Sequence, residues 1–280
     1  MMNVNYKISS LRLFIVFVFL VLFIISFVGC KHSRDTKVEV ESSKTFIKQK
    51  NIHPGYDSVQ VAHLGELFEK AMIDAQNPTP TERYAHLLPI EGNPNLIDTL
   101  INGERYIQVV SWKSHPDNYS KKGIDSTQGY DIWVTLAPII KDSCRSFFKT
   151  QKDPIMRLRQ LLGLQPFTQE TFFLELWVKP EDIYRPCPDN GTDDTICDLN
   201  VPNDISEEYR AWFNHTRAVQ YNDCTDTEFK EYGYPWTQLG YTYDWSPENP
   251  SNIGLSEFVI RRHRYIYVRG KHKTEVYCTE

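Results

Sequence analysis

Several short motifs that identify common enzyme classes are absent from this 280-residue sequence. There is no G-x-S-x-G elbow, no H-E-x-x-H zinc motif, no G-x-x-x-x-G-K-[ST] phosphate loop and no G-x-G-x-x-G dinucleotide loop. Residues 61–280 also contain no internal repeat and no low-complexity tract. The sequence therefore names no reaction, and we expect neither a cofactor nor a bound metal.

An excess of positive charge is also missing. The chain has 31 Lys and Arg against 36 Asp and Glu, a formal net charge of −5. Nucleic-acid binding needs surplus Lys and Arg to displace phosphate counterions, so we expect no nucleic-acid partner. One basic cluster near the C-terminus fits either a charged edge strand or a contact with anionic lipid or phosphorylated glycan. Its members are Arg261, Arg262, His263, Arg264, Arg269, Lys271, His272 and Lys273.

The long apolar run lies at the N-terminus. Lys7 and Arg12 precede an unbroken apolar stretch over residues 13–25, and small residues follow it. A basic head, an apolar middle and a small residue before a cleavage point are typical of an export signal. The pattern predicts that the protein works outside the cytoplasm.

The segment Phe27-Val28-Gly29-Cys30 resembles a bacterial lipobox. The resemblance implies that residues 1–29 are a signal peptide, and that Cys30 becomes the lipidated first residue of a bacterial lipoprotein. The protein would then be anchored by lipid in the cell envelope, facing the periplasm or the exterior. The alternatives are an uncleaved membrane helix over residues 13–29 and ordinary secretion. Residues 30–60 are expected to form a flexible tether, and residues 61–280 a single globular domain.

Five cysteines remain after Cys30, and exported proteins usually join such cysteines in disulfides. Cys187 and Cys197 flank a nine-residue polar turn, which predicts a bridge between them. Cys278 is placed to fasten the C-terminus, with either Cys144 or Cys224 as its partner. Spacing alone does not choose between these two.

Hydrophobic periodicity predicts a mixture of helices and strands without regular alternation. Helices are expected over residues 61–75, 81–88, 138–148, 153–163 and 207–213. Strands are expected over residues 106–112, 130–136, 171–178, 255–260 and 265–268, with 276–277 extending the sheet. This order favours an α+β fold, in which helices pack on one side of a largely antiparallel sheet and disulfides brace the domain.

An aromatic segment follows the predicted helices. Its rings alternate with other residues in two arms joined by a turn at residues 237–240, which predicts a hairpin. The rings either pack into the core or form an exposed platform for a glycan or an envelope protein. They belong to Tyr232, Tyr234, Trp236, Tyr241, Tyr243 and Trp245.

Three further residues are candidates for catalysis. His115 lies in a polar loop after a strand, and Glu257 lies among apolar residues of another strand. Asp244 and Glu257 together would supply the two carboxyl groups that glycoside cleavage uses. The leading hypothesis is a lipid-anchored protein that binds a surface glycan or envelope partner through the aromatic hairpin. An envelope hydrolase and a structural accessory without a site are the alternatives.

Overall fold

Nine β-strands run through the part of the chain that the computed structural model describes, residues 55–221 and 233–280. In chain order they are β1 (Asp98–Ile101), β2 (Glu104–Lys113), β3 (Gly123–Ser126), β4 (Ile132–Leu136), β5 (Phe172–Val178), β6 (Ile183–Tyr184), β7 (Tyr241–Tyr243), β8 (Ile253–Ile260) and β9 (Tyr265–Lys273).

Five α-helices accompany these strands within the same residues. They are α1 (Ser58–Ala75), α2 (Ala137–Thr150), α3 (Pro154–Leu161), α4 (Glu207–Tyr221) and α5 (Thr274–Thr279). None of the helices in the described part of the chain is long and apolar enough to cross a bilayer.

The strands form an antiparallel sheet in the order β3-β9-β5-β2-β4-β8-β6, with β1 paired to β2 and β7 paired to β8. Together with the helices this is a disulfide-braced α+β fold, so the predicted class is confirmed.

The sheet curls on itself. Strands β8 and β9 follow each other through residues 261–264, yet three strands separate them in the sheet. A flat sheet would place β8 and β9 about 19 Å apart, whereas a four-residue connection reaches at most ~17 Å. Curvature brings them together, and Thr127 holds the turn by donating to the Arg261 carbonyl and accepting from the Arg264 N–H.

Alternate side chains of each strand enter two different cores. Ile107 and Val109 of β2 belong to the core inside the curl, with Leu174 of β5 and Phe258 of β8. Val110 and its neighbours face outward, where they pack against α2, α3 and α5. Helix α4 covers the same outward face farther along, and α1 packs against α3 and β7. The outward face therefore carries the helices.

Two disulfides brace the described residues. Cys144 in α2 is joined to Cys278 in α5, which fixes the C-terminal helix to the outward layer. Cys187 is joined to Cys197, as predicted. Of the two partners expected for Cys278, the structure selects Cys144, and Cys224 lies outside the described residues.

A buried arginine organises the loop that the Cys187–Cys197 disulfide closes. The Arg185 guanidinium is fully buried and donates to the carbonyls of Gly191, Leu88 and Asp194 at 2.9, 3.1 and 3.0 Å. Gly240 has φ +77° and lies directly over the Arg185 side chain, where a Cβ would stand 2.6 Å from its Cδ atom. The arginine is therefore part of the core.

Some local predictions are wrong. Residues 81–88 form only a 3₁₀ turn at Pro80–Glu82, and residues 276–277 lie in α5 instead of extending the sheet. Strand β9 is not an edge strand, because β3 and β5 flank it. The basic cluster on and before β9 is also largely paired: Arg262 bonds Asp131 at 2.7 Å, and the Lys271 ammonium donates to two backbone carbonyls.

Candidate functional site

A cleft of about 370 Å³ opens on the outward face of the sheet. Strands β2, β4 and β8 form its floor, because Val110, Thr135 and Glu257 lie side by side in the ladder. Its walls come from α2, from residues 162–164 after α3, from the end of α4 and from residues 234–236. This volume falls within the range of about 300–1,000 Å³ that small-molecule sites occupy.

Aromatic rings surround this space. Trp112 and Phe173 are stacked with their ring centres 5.7 Å apart, and Trp133 meets Trp236 edge to face at 5.9 Å. The Trp112 indole N–H donates to the Thr274 hydroxyl, and that of Trp236 donates to a backbone carbonyl. Internal bonds therefore hold these rings in place. The aromatic lining consists of Trp112, Trp133, Phe173, Tyr234, Trp236 and Tyr243.

Glu257 is the carboxyl group on the cleft floor. Its side chain is partly accessible because it opens onto the cleft, while protein encloses it elsewhere. No side chain or N–H of the described residues donates to its carboxyl group. Burial raises the pKa of Glu257 to about 8. The carboxyl group is therefore mainly protonated and neutral at pH 7.

Lys113 and Glu170 occupy another part of the lining. Burial lowers the pKa of the Lys113 ammonium, and attraction to Glu170 partly opposes that effect. The Glu170 Oε2 atom is enclosed and accepts no hydrogen bond from the described residues. The cleft thus combines polar groups without hydrogen bonds with aromatic rings, of which Trp112, Trp236 and Tyr243 have their polar atoms bonded.

Four of the predicted platform rings are buried: Trp236, Tyr241, Tyr243 and Trp245 are only 4, 4, 8 and 2 % exposed. Tyr234 is 41 % exposed, and Tyr232 lies outside the described residues. The prediction of an exposed flat row of these rings is therefore wrong.

The local backbone explains why the row does not form. Only Tyr241–Tyr243 is a strand, and it pairs with β8, while the first arm contributes a single bridge from Trp236 to Thr242. Tyr243 donates to Asp74 of α1 at 2.7 Å, and Trp245 donates to the Leu164 carbonyl at 2.9 Å. The rings fasten this segment to its neighbours, as the core alternative required. Three of them still line the cleft, namely Tyr234, Trp236 and Tyr243.

Asp244 is a structural residue and does not line the cleft. Both of its oxygens bind Arg157, at 3.0 and 2.7 Å, and they also accept from the Ser246 N–H and the Asn249 amide. The Asp244 N–H donates to the carbonyl of Asn252, which precedes β8 and lies five residues from Glu257, or about 16 Å at the rise of an extended chain. The predicted pair of Asp244 and Glu257 is therefore wrong.

His115 is exposed at the start of a 3₁₀ turn (Pro116–Asn118) and is not among the residues that line the cleft. Among the lining residues that the sequence does not single out are Lys113, Trp133 and Glu170. Lys113 and Trp133 alternate with apolar neighbours in ordinary strands, so their patterns carry no signal that separates them from other strand residues.

No family model matches the chain, and no curated protein or solved structure is significantly similar to it.

Proposed function

We propose that this is a lipid-anchored protein of the bacterial cell envelope, and that it binds a segment of an envelope glycan in the cleft. The supporting observation is a cleft of about 370 Å³ that combines aromatic walls with unbonded polar groups. Sugar rings have apolar faces that stack on aromatic rings, and hydroxyl groups that need polar partners. The proposed binding site is therefore this enclosed cleft and not an exposed row of rings.

The lining of the cleft suits the two kinds of sugar surface. Trp133, Trp236 and Tyr234 supply aromatic surface, and large aromatic side chains supply much of the binding energy of such sites. Lys113 and Glu257 can donate hydrogen bonds to hydroxyl oxygens, and Glu170 can accept from them. None of these three side chains forms a hydrogen bond with the described residues, although Lys113 and Glu170 attract each other.

The geometry favours binding over hydrolysis. Besides Glu257, Glu170 is the carboxyl group among the lining residues. The Thr171 N–H donates to the Lys113 carbonyl, so Glu170 lies just before β5, three strand spacings, or ~14 Å, from β8. It also lies three or more residues, or ~10 Å, farther along the strands. These are separations of the backbone positions, and they exceed the distance of about 5–9.5 Å at which paired glycosidase carboxyl groups stand.

A binding titration tests the cleft. The full chain, purified in detergent, is titrated with the disaccharide of N-acetylglucosamine, and tryptophan fluorescence is followed because Trp112, Trp133 and Trp236 line the cleft. We expect saturable binding, weakened about three- to tenfold by Tyr234→Ala because one stacking surface is lost. Tyr265→Ala is the matched control, since Tyr265 is 74 % exposed and lies on β9 away from the cleft. Equal losses in both variants would contradict the assignment.

The anchor is tested separately. Cys30→Ser removes the sulfur that lipidation needs, so we expect the protein to be released from membranes or to accumulate with its signal attached. Membrane fractionation and mass spectrometry of the N-terminus measure this. Unchanged attachment that still requires detergent would contradict the lipoprotein assignment, while leaving the cleft unaffected.

A further inference from the structure

Glu257 differs from the other titratable groups around the cleft, because no partner among the described residues stabilises its ionised form. The nearby tyrosine hydroxyls are committed elsewhere: Tyr221 of α4 donates to the carbonyls of Ala75 and Trp236, and Tyr243 donates to Asp74. On β4, Thr135 lies beside Glu257 in the ladder and carries no charge. The remaining facing groups are Tyr234, Lys113 and Glu170.

The surroundings of this carboxyl group fit a cation. The faces of aromatic rings carry negative electrostatic potential and attract ammonium groups, most strongly when water is excluded. Trp133, Trp236 and Tyr234 line the same cleft as Glu257. A hydroxyl group can donate a hydrogen bond to a carboxylate but gains little from the ring faces, whereas an ammonium group gains from both.

We propose that the glycan segment bound in the cleft carries a free amino group, and that its ammonium lies against Glu257 among the aromatic rings. This inference rests on the proposed function and specifies its ligand class. Lys113 supports one orientation, because it already opposes the charge of Glu170, whereas the carboxyl group of Glu257 has no cation beside it among the described residues. The ligand's amino group is thereby directed toward β8.

Binding of an ammonium group moves one proton. Below pH 8 the Glu257 carboxyl group of the free protein holds a proton, since burial raises its pKa to about 8. The bound ammonium favours the carboxylate, so the carboxyl proton leaves to solvent while the ligand keeps its own charge. The net change is release of up to one proton per ligand bound.

The experiment compares two matched probes, the disaccharide of glucosamine and its N-acetylated form. Each is titrated calorimetrically into the full chain at pH 6.5, in two buffers that differ in ionisation enthalpy. We expect the free-amine probe to bind about tenfold or more tightly, because only it forms a charge-assisted bond, and to release a proton that the acetylated probe does not. Glu257→Gln should abolish both this preference and the proton release, because a neutral amide neither ionises nor forms a charge-assisted bond with an ammonium group.

The outcomes separate the two proposals. Equal affinities with no proton release would overturn the amino-group inference and leave glycan binding intact. A preference that persists in Glu257→Gln would also overturn it, because the charge partner would then be another group. If neither probe binds the wild-type protein, the proposed function itself fails, and this inference fails with it.

Discussion

Two enclosed carboxyl groups of this protein lie close in sequence and differ in every other respect. Asp244 follows β7, is 1 % exposed and forms a two-pronged ion pair with Arg157, to which Ser246 and Asn249 add hydrogen bonds. Glu257, on β8, has no partner for its carboxyl group in the described part of the chain. One region is complete without a ligand, and the other is not.

The two environments show how a structural carboxyl group can be distinguished from a functional one. Removing a carboxylate from water costs free energy that must be offset by partners or avoided by protonation. At Asp244 partners offset this cost, because four donor groups fix its position between α3 and β8. At Glu257 protonation avoids the cost, so the carboxyl group can still ionise when a cationic ligand binds beside it. An unsatisfied group on a cleft floor is therefore the better marker of a binding site.

The largest expected effect is a loss of stability on substitution of Asp244. Asp244→Ala leaves the Arg157 guanidinium, whose side chain is 14 % exposed, without its carboxylate. We expect the free energy of unfolding to fall by about 3–5 kcal/mol, as for other enclosed pairs that lose one member. Urea denaturation with the disulfides intact measures the loss.

The matched control for that loss is Asp198→Ala. Asp198 pairs with Arg83 at 3.4 Å, but its side chain is 57 % exposed, and exposed pairs contribute about 0–1 kcal/mol. If both variants lost the same free energy of unfolding, Asp244 would contribute no more to stability than an exposed carboxylate.

Local signals explain which parts of the fold could be predicted. The strand over residues 171–178 and the helix over residues 61–75 are long, regular patterns, and both form. The Cys187–Cys197 bridge spans ten positions, so its turn is visible in the sequence. By contrast, Arg157 and Asp244 are 87 residues apart, and no periodicity announces that they meet.

The site was harder to predict for the same reason. Glu257 stood out as a carboxylate among apolar strand residues, but its companions Lys113 and Glu170 come from the ends of other strands. The alternation of the rings in the aromatic segment predicts a hairpin, with the rings either in the core or on one exposed face. Tertiary packing sends Trp245 to Phe68 of α1 and Trp236 toward Trp133, so alternation did not translate into a shared face.

The smaller effect is a pH dependence that distinguishes Glu257 from ordinary carboxyl groups. Its folded-state pKa of about 8 lies above the unfolded value of 4.5, so the folded state binds more protons than the unfolded state between these values. The free energy of unfolding should therefore fall as pH rises from about 4.5 to 8.

Glu257→Gln removes this contribution and should become the more stable protein by on the order of 1–3 kcal/mol at pH 8, allowing for water in the cleft. Urea denaturation at pH 5 and 8 measures the difference, with Glu248→Gln as the exposed control. Parallel pH profiles for Glu257→Gln and the wild type would show that Glu257 ionises normally in the folded protein. The contrast with Asp244 would then rest on hydrogen bonding alone.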